Sequence, residues 1–281
     1  MVILFGSSGF IGNSIKKKIK NKILEFNSKN LDLLNLKKIK KKSHKFKNAI
    51  IIFAAGIKRT KGDNFNNFKK NMDIFLNLFS FFFKNPPKKI IFLSSVEVYG
   101  NYEGKKKISE KTKLSPVTNY SLMKIFQEKT IKFFSKKIGY DYLILRLPGV
   151  FGNEINNENI ISKLVKSQNK KSKFFLNTSG NEMRDYLYVE DLSRFIKNVL
   201  KKKTKAKMLN FVSGNSLSIN QIIKIISEKF NRKLFIIKKN YSKKKKEHDL
   251  KFDNSLLRKN FKDFRFSDFD RLNLKQIFGN D

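Results

Sequence analysis

The chain of 281 residues contains no cysteine, which excludes disulfides, a thiolate nucleophile and any cysteine-ligated metal. Its two histidines, His44 and His248, stand far apart among lysines, so a histidine-based metal site is not expected either. Acidic residues are few: 23 Asp and Glu against 62 Lys and Arg leave a formal net charge of +39. Long apolar runs are also missing. The most apolar stretch, 74–83 (IFLNLFSFFF), is too short to cross a bilayer and contains Asn77 and Ser80, which fits a buried helix. The start, MVILFG, has no basic segment before its apolar residues and runs straight into glycines, so it reads as a strand and not as a leader. No membrane contact and a cytoplasmic location are the expectation.

What is present is a foldable excess of Phe, Ile and Leu. The 29 Phe and a 40% hydrophobic fraction recur in periodic segments and argue against disorder. The positive charge suggests nucleic acid when taken alone. It is, however, mostly lysine spread along the chain, and abundant Lys, Asn, Ile and Phe together fit the coding of a very A/T-rich genome. That reading is adopted, and a nucleic-acid partner is not expected.

Short apolar runs alternate with longer helical patterns. Strands are predicted at 2–5, 23–26, 49–55, 89–94 and 142–147, and helices from the glycines to about residue 20, at 66–83 and at 119–137. Continuous β-branched runs such as AIIIFAA belong to strands buried on both faces. Alternation of strand and helix predicts an α/β fold with a doubly wound parallel sheet, a Rossmann arrangement. After Gly152 the pattern is less regular. It carries a helix at 160–167, a short strand at 173–176, a helix at 218–230 with Ser218 as N-cap, a basic stretch at 238–246 and short helices to the end. The expected division is a dinucleotide-binding domain at 1–152, to which 184–214 returns, and a smaller C-terminal α/β substrate-binding part at 153–183 and 215–281.

The segment Gly6-Ser7-Ser8-Gly9-Phe10-Ile11-Gly12 follows the first strand and opens the first helix. Glycines here let the backbone turn tightly and approach a pyrophosphate seated on the helix N-terminus. Tyr120 and Lys124 are four residues apart on a predicted helix, so both project from one face. A tyrosine titrates near ~10 in water; an ammonium and an oxidised nicotinamide nearby are expected to lower it. It then exchanges a proton with a substrate hydroxyl or ketone.

The GxxGxxG spacing and the motifs that follow in order resemble the extended short-chain dehydrogenase/reductase superfamily, in its nucleotide-sugar epimerase/dehydratase group. Ala54-Ala55-Gly56 matches the strand end lining the cofactor pocket, and Asn71 the asparagine that ties the strands together. Ser94-Ser95-Val96-Glu97-Val98-Tyr99-Gly100 matches the catalytic Ser/Thr segment, Tyr120-Ser121-Leu122-Met123-Lys124 fits YxxxK, and 146–152 and 184–191 match the substrate loop and RDxxxVxD.

The resemblance implies Ser95, Tyr120 and Lys124 as catalytic residues. It implies a cofactor site from Gly6, Ser8, Gly9, Phe10, Ile11, Gly12, Ala54, Ala55, Gly56, Asn71, Tyr120, Lys124 and Leu147. It also implies a substrate site from Ser95, Val96, Glu97, Gly149 and Arg184. At the end of the second strand no carboxylate stands among Asn27, Ser28 and Lys29, which favours NADP over NAD. The segment around Asp32 resembles sugar 4-ketoreductases, in which that aspartate sits by the adenine.

Two positions depart from the family pattern. Val96 stands where sugar 4,6-dehydratases have an acid, which disfavours dehydration and leaves Glu97 as a structural group, a substrate-hydroxyl contact or a base. Gly149 stands where many epimerases have Asn. Arg184 is expected either to grip a diphosphate or to brace its loop by pairing with Asp185 or Asp191. The implied function is 4-keto reduction of a nucleotide-activated deoxysugar for surface polysaccharide. Nucleotide-sugar 4-epimerisation with bound NAD is the alternative, and a non-catalytic RNA-binding member of the fold is the alternative of another class. A homodimer through the helices at 66–83 and 120–137 is the family expectation. Loops at 153–159, 177–183 and near residue 243 are expected to choose the sugar.

Overall fold

Alternate residues along each central strand point to opposite faces of the sheet, and both faces are apolar. Ile3, Phe5, Ile51, Phe53, Ile90, Phe92 and Ile144 enter one core, and Leu4, Ile52, Ile91, Leu93, Leu143 and Leu145 the other. Such strands are stable only between two helical layers. The computed structural model, which describes residues 1–19, 23–104, 106–153, 159–202, 204–238 and 248–279, has that form.

In chain order the main elements are β1 (Val2–Phe5), α1 (Phe10–Ile19), β2 (Ile23–Phe26), α2 (Leu36–Lys42), β3 (Ile50–Phe53), α3 (Phe65–Ser80), β4 (Lys89–Ser95), α4 (Asn119–Ile138) and β5 (Asp141–Leu147). There follow β6 (Gly149–Phe151), α5 (Ile160–Asn169), β7 (Phe174–Leu176), β8 (Met183–Arg184), β9 (Tyr186–Tyr188), α6 (Val189–Lys201) and β10 (Met208–Asn210). The chain continues through β11 (Leu217–Ser218), α7 (Ile219–Lys229), β12 (Ile236–Lys238), α8 (Ser255–Asn260) and α9 (Leu274–Phe278).

The central sheet has six strands in the order β10-β5-β4-β3-β1-β2, every pair parallel. The chain steps outward from β1 to β2 and then returns to place β3 on the other side of β1. This reversal opens a crevice at the strand C-termini between β1 and β3, where α/β sheets bind ligands. A separate apolar cluster joins Phe151, Ile161, Leu164, Val165, Phe174, Leu176, Ile222, Ile226 and Leu274. It lies around three two-stranded ladders, β6 with β9, β8 with β11 and β7 with β12.

The predicted strands and helices occur, with shifted ends. Helix α3 stops at Ser80, and Phe81 to Phe83 form a turn that buries Phe82. Ser218 caps α7, its hydroxyl accepting the N–H of Gln221 at 3.2 Å. The end of the first predicted helix at residue 20, residues 154–158 of the first specificity loop and residues 239–246 of the basic stretch lie outside the described residues. Among the described residues no helix is long and apolar enough to cross a membrane.

Candidate active site

The loop from β1 into α1 is tied to β2: the N–H groups of Gly6 and Ser7 donate to the carbonyl of Phe26 at 2.8 and 3.1 Å. At Gly12 a Cβ would lie 2.0 Å from the Gly6 carbonyl oxygen, so only glycine lets α1 pack this close. At Gly9 a Cβ would meet just one neighbour, the Gly6 oxygen at 3.4 Å. The backbone there faces open space at the positive end of a ten-residue helix, a cradle that accepts a phosphate.

A cleft of about 180 Å³ opens beside it. Of the expected cofactor residues, Gly9, Phe10, Ile11, Gly12, Ala54, Ala55, Gly56, Asn71, Tyr120, Lys124 and Leu147 line this cleft, with Ser95. Asn71 fixes the loop after β3 by accepting the Ile57 N–H at 2.6 Å and donating to its carbonyl at 3.1 Å. An open glycine cradle beside an apolar floor that ends in hydroxyl and ammonium groups fits a nicotinamide dinucleotide.

Gly6, Ser8, Ser28, Lys29 and Asp32 are off that lining. Ser8 borders a second depression with Asn13 and Lys17. Ser28 and Lys29 are exposed beyond β2, in a turn where Asn27 Oδ1 accepts the Lys29 N–H at 2.9 Å. Asp32 accepts the N–H of Leu34 at 2.9 Å, a local turn contact.

Tyr120 lies in the first turn of α4. Thr118 begins that helix with a capping box shared with Ser121, and Asp63 Oδ1 accepts the Tyr120 N–H at 2.9 Å. One turn on, the Lys124 Nζ donates to the Leu93 carbonyl at 2.8 Å and stands 5.6 Å from the Tyr120 ring centre. Ser95 ends β4, its Oγ accepting the Glu97 N–H at 3.2 Å.

The protein's own groups do not lower the tyrosine. Desolvation raises the Tyr120 hydroxyl above its ordinary range, Glu97 adds to this, and Arg59 opposes it. Burial also pushes Lys124 down to about 8, against the opposing pull of Glu128. Burial decides the direction even though its ammonium donates to the Leu93 carbonyl, a contact that favours the charged form.

Two further cavities follow, the first of them adjoining this cleft. One of about 300 Å³ shares Pro148 with it and is lined by Arg59, Val96, Glu97, Gly149, Arg184 and Tyr186. The other, about 870 Å³, shares Arg59, Arg184 and Tyr186 with the second, adds Lys163, Lys166 and Lys173 against Glu182, and exposes Phe175. The predicted substrate residues Val96, Glu97, Gly149 and Arg184 therefore meet in one place.

The proposed Arg184 pairing with Asp185 or Asp191 is absent. Arg184 donates to the carbonyls of Met183 and His248. Asp185 accepts instead from the N–H and hydroxyl of Ser213 and from the N–H of Gly214, and Asp191 pairs with Arg194 and Ser267. Glu97 pairs with Arg59 at 2.9 Å, and desolvation raises its carboxyl above the usual range despite that arginine. At Gly149 a Cβ would stand 3.5 Å from the Tyr186 ring, so a side chain fits there.

Sequence reasoning missed Arg59, a lone Arg among lysines, and a buried network beneath α4. Arg146 donates from Nε and Nη2 to the two carboxylate oxygens of Glu128 at 3.0 and 2.6 Å, and from Nη1 to the Tyr99 hydroxyl at 2.7 Å. Ser94 also donates to Glu128, at 2.6 Å. The available signal was Glu128 itself, one turn after Lys124 on a helix face that meets the sheet.

Comparison with known proteins agrees with this geometry. The profile of the NAD dependent epimerase/dehydratase family matches residues 2–211. A Bacillus subtilis (strain 168) protein named "Uncharacterized UDP-glucose epimerase YtcB" is 24% identical over 180 residues, 63% of this chain and 56% of that protein. The chain thus spans about half the length of that relative. The GDP-L-colitose synthase of Yersinia pseudotuberculosis is 28% identical over 250 residues, 81% of each chain. Further relatives are named as 4-epimerases, 4,6-dehydratases and reductases. Among solved structures, RMD from Pseudomonas aeruginosa complexed with NADPH superimposes with a TM-score of 0.82, at 16% identity, covering 99% of this chain and 98% of that one; this likeness shows the fold. A family profile over most of the chain, on a doubly wound sheet whose crevice gathers the family's motif residues, makes this chain a member of the NAD dependent epimerase/dehydratase family, a family of enzymes.

Proposed function

We propose that the protein reduces the 4-keto group of a nucleotide-activated deoxysugar with NADP(H), NADPH being favoured over NADH. The observation that carries this reading is the row of neighbouring cavities. A dinucleotide cleft holding Ser95, Tyr120 and Lys124 shares Pro148 with a small cavity of mixed lining, and that cavity shares Arg59, Arg184 and Tyr186 with a basic one. This matches in order a nicotinamide, a sugar, and a diphosphate with its nucleoside, with Arg184 and Arg59 placed for phosphate.

Bound nicotinamide would supply the hydride. Tyr120, a phenol that ordinarily holds its proton at neutral pH and that burial raises further, donates that proton to the sugar oxygen as charge develops there. Ser95 holds that oxygen with its hydroxyl, and Lys124 holds the ribose side of the cleft. Val96 supplies no acid for dehydration. The exposed Lys29, in a turn without a carboxylate, supports NADP.

The separate apolar cluster that gathers Ile161, Leu164, Ile222, Ile226 and Leu274 supports a substrate-binding part formed by 153–183 and 215–281, with 184–214 returning to the dinucleotide-binding sheet through α6 and β10, while Leu257 and Phe264 of the last range pack in the core of that sheet. The exposed apolar side chains of α3 and α4 support a homodimer.

The test is to denature freshly purified protein and identify any released nicotinamide by mass spectrometry. The expected result is protein free of cofactor, or with cofactor that exchanges, that takes up NADPH reversibly and oxidises it only with a 4-keto sugar nucleotide. Stoichiometric NAD carried through purification would move the assignment to a 4-epimerase. Binding of neither dinucleotide would overturn both enzyme readings.

A further inference from the structure

Among the described residues three buried side-chain oxygens or nitrogens have no hydrogen-bond partner: Ser7 Oγ, Gln127 Oε1 and Ser162 Oγ. Only Gln127 also lines the dinucleotide cleft. It follows Tyr120 by seven residues and Lys124 by three, so the three side chains share one face of α4, and the next residue of that stripe, Ile131, is wholly buried. Gln127 is 2% exposed.

Neighbouring polar groups of the cleft floor already have partners. Ser94 Oγ donates to Glu128, and the Arg146 guanidinium is shared between Glu128 and Tyr99. An apolar side chain would fill this position without leaving an amide oxygen unpaired, and an unpaired buried acceptor costs free energy that a ligand donor removes.

We infer that Gln127 is a further cofactor-binding residue, its Oε1 accepting a hydrogen bond from the nicotinamide half of the dinucleotide. This rests on the cofactor reading above. The half is fixed by place: Gln127 lines the cleft with Leu93, Ser94 and Lys124 at the β4 side, whereas the phosphate cradle at Gly9 belongs to β1 and α1. Toward an acceptor, that half offers ribose hydroxyls and the carboxamide N–H.

The experiment compares wild-type full-length protein with Gln127→Met, titrating NADPH and NADH by nicotinamide fluorescence, which no tryptophan in the chain disturbs. Adenosine 2′,5′-bisphosphate, the adenosine half alone, is the control, and the melting temperature of the ligand-free protein is read alongside. The expected result is about tenfold weaker NADPH binding, unchanged bisphosphate binding and an equal or higher melting temperature, since the variant deletes an unpaired polar atom. NADPH affinity within twofold of wild type overturns the assignment of Gln127 alone, as does an equal loss for the bisphosphate. Wild-type protein that binds neither dinucleotide overturns the cofactor reading and Gln127 with it. If Gln127→Met does not fold, a crystal structure of wild type with NADPH decides. Oε1 within about 3.2 Å of a cofactor donor supports the assignment, and Oε1 beyond that range from every cofactor donor overturns it.

Discussion

Desolvation outweighs the nearby Arg59 and raises Tyr120 above the ordinary phenol range, while Lys124, turned to the Leu93 carbonyl, is itself driven down to about 8. A tyrosine held in this way is an acid waiting for an acceptor. Removing only the hydroxyl removes the acid and little else. Tyr120→Phe is expected to lower kcat by about 10²–10⁴-fold while NADPH affinity stays within a few-fold, as single-turnover kinetics and fluorescence titration would show. Retained turnover would take Tyr120 out of its role. Ser95, Tyr120 and Lys124 were legible as candidates from the resemblance of their motifs to the family's. The direction of the tyrosine's shift was not, because it depends on which group accepts the lysine's hydrogen bond and on how much water the fold excludes, and neither is local in sequence.

At the scale of elements, α4 matters most, because it carries Tyr120, Lys124 and Gln127 on one face and Glu128 beside them. Glu128 meets Arg146 of β5 and Ser94 of β4, a bidentate pair with both side chains 2% exposed, so it locks the helix against the two strands that end at the site. Removing one member leaves the other charge buried and uncompensated. Glu128→Gln is expected to cost about 3–5 kcal/mol in denaturant unfolding. A loss below about 1 kcal/mol would show that the pair is replaceable. Most elements were legible because buried parallel strands announce themselves as apolar runs. Helix α2 was not: seven residues, five of them lysine, bury only Ile39 and show no periodic face. Arg59 was hidden for a related reason, since one more cation in a chain of +39 carries little signal until the loop after β3 brings it against Glu97.

For the whole molecule, the apolar surface on the outer side of α3 and α4 is the feature a lone subunit does not account for. Leu122, Phe126 and Phe133 follow one another at helical spacing along α4, 41–55% exposed, and Leu76 and Phe83 stand 42% and 54% exposed on α3 and just past its end. Phe83 and Phe134 are in edge contact at 5.0 Å and join the two rows. The protein is expected to sediment as a dimer, and Leu122→Lys with Phe126→Lys as a monomer that keeps its melting transition. A monomeric wild type at micromolar concentration would refute the proposed dimer. The fold class could be read from sequence because strand–helix alternation leaves few topologies. The resemblance named the two helices of the expected dimer, but which of their side chains face outward could not be read, since exposed and buried Phe look alike in a chain with 29 of them.

The all-parallel order β10-β5-β4-β3-β1-β2 has one more consequence, a temporal one. The cleft draws on the ends of β1, β3, β4 and β5, and each adjacent pair of those strands is joined only by a long crossover. None of these pairings is local, so loop closure must be completed before any of them is repaid, and such sheets fold slowly. The nascent chain therefore passes through states with unpaired strand edges and no cleft at all. Nucleotide added during refolding finds nothing to hold until the last strands are in register, and it can stabilise the finished enzyme but cannot guide the chain there.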